Sequence, residues 1–144
     1  MRYLIYLFAT LCFFLQPMIA EDQEVKKEMS REEKVPKYLY KVLSVNDWNE
    51  SQGKPFVKLP KEDQSFIHLS RDDQIERIVV KYWIDVPAFV ILKLDSSKLP
   101  GKLVYETNPG GENKYWHLYD GSLPLDAVVE SKVIQHSPKK DDDT

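Results

Sequence analysis

His68, His117 and Glu106 are the side chains of this sequence best placed to do chemistry. Each histidine sits in a short apolar run, Phe66-Ile67-His68-Leu69 and Tyr115-Trp116-His117-Leu118. An imidazole in such a run is either a hydrogen-bonded structural group or a donor that orients a ligand in a polar pocket. The third histidine, His136, opens a charged tail and is expected to be exposed. Glu106 follows Leu103-Val104-Tyr105 and precedes the loop Asn108-Pro109-Gly110-Gly111. A carboxylate at such a strand end either faces a cleft or is simply solvated. Tyr115, Trp116 and Tyr119 could wall an aromatic site or pack in the ordinary way. HExxH, GxSxG, the P-loop and GxGxxG are all missing from the sequence, so no standard catalytic signature applies. His68, His117 and Glu106 could together suit zinc, but their wide spacing forms no local ligand motif, and no metal is expected.

The elements that must position these residues follow from the pattern. Tyr38 to Leu43 reads as a strand. Ser44 caps a helix with Asp47 as its reciprocal partner; the helix carries Trp48 and stops at Gly53. Phe66–Leu69 reads as a second strand, and Ser70-Arg71-Asp72-Asp73 as the cap of a second helix. There Ile75, Ile78, Val79 and Tyr82 form one apolar stripe expected to face the core. Pro87 ends the loop after it. Phe89 to Leu94 is apolar enough to be a central strand buried on both faces. Asp95-Ser96-Ser97 makes a turn. Leu103–Glu106 and Tyr115–Leu118 flank the glycine loop, and a last strand lies within Leu125–Ile134. Strands with two short helices between them give an α+β class, a compact split β-sheet domain.

The ends of the chain read differently. Arg2 precedes the apolar run Leu4–Leu15, Gln16-Pro17 breaks it, and Ala20 precedes an acidic stretch. This is the pattern of a secretory signal peptide over residues 1–20, cleaved after Ala20. The apolar core is shorter than the roughly 20 residues that cross a bilayer as a helix. Met18 is larger than signal peptidase prefers, which leaves an uncleaved anchor as the alternative. Residues 21–37 read as a charged leader and 136–144 as an acidic tail, around a domain over 38–135. The single cysteine, Cys12, lies in the signal, so the secreted chain has neither a disulfide nor a thiol nucleophile. A net charge of −3 offers no basic face for nucleic acid. Asn49-Glu50-Ser51 is a sequon, so Asn49 could carry a glycan.

Taken together, several blocks resemble one family. They are Tyr40-Lys41-Val42, Trp48, Phe66-Ile67-His68-Leu69-Ser70 with Gln74, Leu92-Lys93-Leu94-Asp95 with Leu99, Tyr105-Glu106, and His117-Leu118-Tyr119-Asp120-Gly121-Ser122-Leu123-Pro124-Leu125-Asp126-Ala127-Val128-Val129. The resemblance is to the domain-of-unknown-function family 952 and covers about Tyr38 to Glu130. It implies a fold similar to the ADP-ribosyltransferase superfamily, in which two half-sheets cradle NAD. Carried onto this chain, His68 and Ser70 take the second-strand position and Glu106 the late acidic one. Lys41 stands where relatives usually have His, which weakens an enzyme reading. His68, Ser70, Gln74, Glu106, His117 and Tyr119 are expected to converge on one pocket. The expectation is a secreted, non-catalytic module that binds a small polar ligand, with no nucleic acid and no membrane as partners after cleavage. The alternative is an NAD-dependent ADP-ribosyltransferase-like enzyme with Glu106 stabilising an oxocarbenium-like state.

Overall fold

A computed structural model of the chain describes residues 33–136. The signal, most of the leader, and the tail beyond His136 lie outside the described residues. Two three-stranded antiparallel sheets make up the domain. The first has the order β1 (Tyr38–Ser44), β3 (Ala88–Asp95), β6 (Val128–Gln135). The second has the order β2 (Ile67–Leu69), β5 (Lys114–Tyr119), β4 (Lys102–Thr107). The sheets meet at one bridge, where Tyr40 and Ser70 exchange both backbone hydrogen bonds at 2.9 Å. This is the α+β class with split sheets expected from the sequence.

The period of two in each strand decides what faces the core. In the second sheet Ile67 pairs with Leu118, and Leu69 with Trp116; all four are buried. The alternate positions carry His68 opposite His117, so the two histidines project from the face away from that core. In the first sheet Leu39, Leu43, Val90, Leu92 and Leu94 are buried. β3 is the central strand, but its two faces differ. Ile91 and Lys93 are only half-buried, so the double burial expected from the apolar run holds for only part of it.

Helix α1 (Val45–Ser51) starts where the sequence placed it. The Ser44 hydroxyl accepts from the Asp47 backbone N–H at 3.0 Å and donates to the Asp47 carboxylate at 2.8 Å. Gly53 follows with φ of 73°, a left-handed conformation open to glycine. Helix α2 (Ile75–Tyr82) departs from expectation in two ways. It is entered through a 3-10 turn, Asp72–Gln74, whose N-cap is Arg71: the Gln74 side-chain oxygen accepts from the Arg71 N–H at 3.0 Å. Ser70 is instead used up in the bridge to β1. None of the helix's residues is fully buried, and Tyr82 is 58% exposed. Two residues of the stripe, Ile78 and Tyr82, line a cleft, while Ile75 and Val79 are half-buried.

Two glycines allow the β4 and β5 ends to close. A Cβ on Gly101 would sit 2.5 Å from the Tyr119 carbonyl oxygen. One on Gly121 would overlap the Pro100 carbonyl. His136 corrects a sequence expectation: it is half-buried, its backbone N–H donates to Pro87, and its ring packs on Phe89 at 5.4 Å.

Candidate functional site

The site begins with a lysine in the wrong place for a lysine. Lys41 lies on the core side of β1, in register with buried Leu92. A charge there needs a buried partner. That partner is Asp63, in the short 3-10 turn before β2: Nζ lies 2.5 Å from Oδ2, with side chains 7% and 1% exposed. The two groups are at ion-pair distance. Nζ also donates to the His68 carbonyl at 3.2 Å.

The other oxygen of Asp63 holds His68. Oδ1 accepts the His68 backbone N–H at 3.2 Å and meets Nδ1 of its ring at 2.8 Å. This fixes the ring and assigns the Nδ1 proton to the hydrogen bond. Among the described residues Nε2 of His68 has no protein partner, and the side chain is 38% exposed. Burial would raise the Asp63 carboxyl. The hydrogen bond from His68 and the charge of Lys41 outweigh it and hold the group below the usual carboxylate range.

His117 anchors a second cluster on the same face. Its side chain is 1% exposed, covered by Phe66 stacked at 4.2 Å. Nδ1 meets Glu106 Oε1 at 2.9 Å and Nε2 meets Asn108 Oδ1 at 2.8 Å. Two arrangements satisfy both contacts: an imidazolium donating twice, or a neutral ring with the Asn108 amide turned to donate. Tyr119 donates to the same Glu106 oxygen at 2.5 Å. That bond first, and the His117 bond second, hold the Glu106 carboxyl below its ordinary range. The same bond raises the Tyr119 phenol.

Between the two sheets and α2 lies a cleft of about 570 Å³. Tyr40 to Ser44 line it from β1, Glu62 and Asp63 from the turn, and His68 to Ser70 from β2. Ile78 and Tyr82 close it from α2, Trp83 from the residue that follows the helix, and Asn108 and Tyr115 from the β4–β5 hairpin.

His68 and His117 come together as expected, and part of the expected set lines the cleft. Lys41, His68 and Ser70 line the cleft, while Glu106, His117 and Tyr119 are not among its walls. The two groups touch, since the His68 and His117 rings are 5.3 Å apart. Gln74 belongs to neither. Its side chain ties Arg71 to the Lys114 carbonyl at 2.8 Å and staples α2 to β5. Asn49 is exposed on α1, and Ser51 of its sequon is buried, bonded to Asp47 and Lys58. Among the described residues no three His, Cys, Asp or Glu side chains converge on a metal position. Asp63, Phe66 and Asn108 were not singled out in the sequence. Asp63 alone had a signal there: a lysine inside an apolar strand requires a buried acid somewhere.

A family model described as "Protein of unknown function (DUF952)" matches residues 42–131. The fold is also similar to that of CC0527 from Caulobacter crescentus. A crystal structure of that protein has a TM-score of 0.60 at 24% identity, covering 70% of this chain and 89% of that one. Its solution structure has a TM-score of 0.59 at 25% identity, covering 72% and 89%. No curated protein matches the chain.

Proposed function

Because the chain belongs to the DUF952 family of proteins of unknown function, we propose its role from its own cleft: a secreted, non-catalytic domain that holds a small polar ligand between its two sheets. The observation that carries this is His68. Asp63 takes its Nδ1, and its Nε2 is left unpartnered on the wall of the cleft. A cleft of about 570 Å³ falls within the roughly 300–1,000 Å³ of small-molecule sites. The pocket between two half-sheets is in keeping with an ADP-ribosyltransferase-like ancestry.

Two features favour binding over catalysis. The Lys41 amine is committed to Asp63 and the His68 carbonyl, so it is not free to serve as the first-strand ligand contact that a His or Arg makes to the nicotinamide ribose in ADP-ribosyltransferase-like enzymes. Glu106 is off the cleft wall, and one of its oxygens already takes both Tyr119 and His117. The leader pattern Leu4–Leu15 supports export, and Asn49 on the open face of α1 is then a glycan acceptor.

The test is thermal shift of the secreted chain against NAD, ADP-ribose, nucleosides and small metabolites, repeated on His68→Gln. A ligand at 100 times its Kd adds about 2.7 kcal/mol to the native state. The expected result is a rise in melting temperature that His68→Gln loses relative to its own ligand-free baseline. A rise that His68→Gln keeps in full, or no rise across the panel, overturns the reading. NAD hydrolysis abolished by Glu106→Ala would overturn the non-catalytic part.

A further inference from the structure

We propose that the cleft is selective for a small, phosphate-free organic cation, such as a methylated ammonium or a charged nitrogen heterocycle. The inference rests on the reading of the cleft as a ligand site and adds the ligand's charge and class. Two independent features of the walls carry it.

The first is charge. Asp47, Glu62 and Asp63 line the cleft, against Lys41 as its one lysine, and no arginine lines it. That lysine is neutralised by Asp63. Asp47 has a cation of its own, Lys58 at 3.3 Å, on a more exposed site. Glu62 is exposed at the rim. With Asp63 and Asp47 each paired, Glu62 is the wall carboxylate left without a cation among the described residues, and a phosphate or pyrophosphate entering here meets no uncommitted lysine or arginine on the walls, whereas phosphate sites are built from forked arginines, lysines and aimed backbone N–H groups. A cation meets a favourable field instead.

The second is the aromatic content. Tyr40, Trp83 and Tyr115 come from three different elements, β1, the end of α2 and β5, and line the same space with Tyr82. Lys81 already stands over the Tyr82 ring, with Nζ 4.9 Å from its centroid, so Tyr82 has one face engaged. The Trp83 ring also packs on Phe89 at 5.5 Å, which leaves Tyr40 and Tyr115 as the lining rings with no ring or cation partner among the described residues, and a desolvated cation gains from aromatic rings placed around it. A neutral ligand of the same shape would gain the contact area without the electrostatic part. His68 Nε2 then serves as an acceptor or donor for a hydroxyl or amide on the cation's tail.

The experiment compares three probes on the full secreted chain by titration calorimetry and by two-dimensional NMR. They are choline, its uncharged isostere 3,3-dimethylbutan-1-ol, and phosphocholine. Choline is expected to bind about tenfold more tightly than the neutral isostere and more tightly than phosphocholine. Tyr115→Leu should lose that preference and Tyr115→Phe keep it. Glu62→Gln, a surface change unlinked to folding, should weaken choline about threefold and leave the isostere unchanged. Equal affinity for choline and its isostere, or a preference for phosphocholine, overturns the cation proposal while leaving the cleft as a ligand site. Shifts with choline that fall outside Tyr40, His68 and Tyr115 overturn it too. Silence from all three probes overturns it as well, and the nucleotide and metabolite panel then judges the cleft independently.

Discussion

Asp63→Ala separates a structural role of the buried ion pair from an incidental one. Asp63 is the partner of a lysine that is 7% exposed at its side chain and sits in register with Leu92. Removing one member of a buried pair leaves the other charge unsolvated and costs about 3–5 kcal/mol. The same change removes the acceptor for the His68 backbone and ring. In a domain of this size each kcal/mol moves the melting temperature by about 4–8 °C, so the variant should melt at least about 12 °C lower. Lys41→Met in the same chain should restore part of that loss, because a methionine of similar length suits the core side of β1 without a charge. Chemical denaturation of wild type, both single variants and the double variant closes the cycle. The coupling should be about 1–3 kcal/mol. A loss under about 1 kcal/mol for Asp63→Ala, or effects that simply add, would refute the claim that this pair is buried and mutually dependent.

Acid should act through the same carboxyl. Its folded value is depressed, so its contribution is present above the ordinary carboxylate range near about 4 and is lost as pH falls through the depressed value; a denaturation series should show wild type weakening there, and Asp63→Ala a flatter profile. Tyr119→Phe removes the leading donor to Glu106, so the Glu106 carboxyl should titrate at a higher pH by carbon-13 NMR, with His117 still stacked on Phe66. Gly121→Ala puts a methyl onto the Pro100 carbonyl and within 2.7 Å of Leu118 Cγ; a cost of at least about 2 kcal/mol is expected by urea melts, and a neutral result would mean that the β4–β5 end closes differently.

How far the sequence carried depended on the range of each interaction. The cap of α1 was legible because Ser44 and Asp47 are three residues apart and need nothing else. That His68 and His117 come together was expected from the family resemblance, but their direct pairing across β2 and β5 was not legible, because strand pairing is a long-range choice. Asp63 was not, because Lys61-Glu62-Asp63 reads as a solvated loop. Its burial comes from Lys41 and His68, brought to it by the meeting of two sheets. Ser70 was read as a helix cap, yet long-range pairing with Tyr40 claimed it, and a 3-10 turn closed by Arg71 and Gln74 stands between it and the helix. The stripe on α2 was correct in period, but Ile78 and Tyr82 line a cleft instead of a core. Periodicity says that one face avoids water, not whether it meets a core or a cleft. His136 was lost for a simpler reason: its neighbours in sequence are charged, but its neighbours in space are Phe89 and Pro87.

The central claim is that the space between the sheets and α2 is where this protein meets a small molecule, with His68 as the contact. NMR fragment mapping on the full chain tests it most directly, because it needs no guess at the ligand. The backbone shifts that move most should cluster on Tyr40, Lys41, His68 and Tyr115, and the Nε2 resonance of His68 should move while Nδ1 stays bonded to Asp63. Hits that gather on another face of the domain, or that leave the His68 ring untouched, would contradict the account.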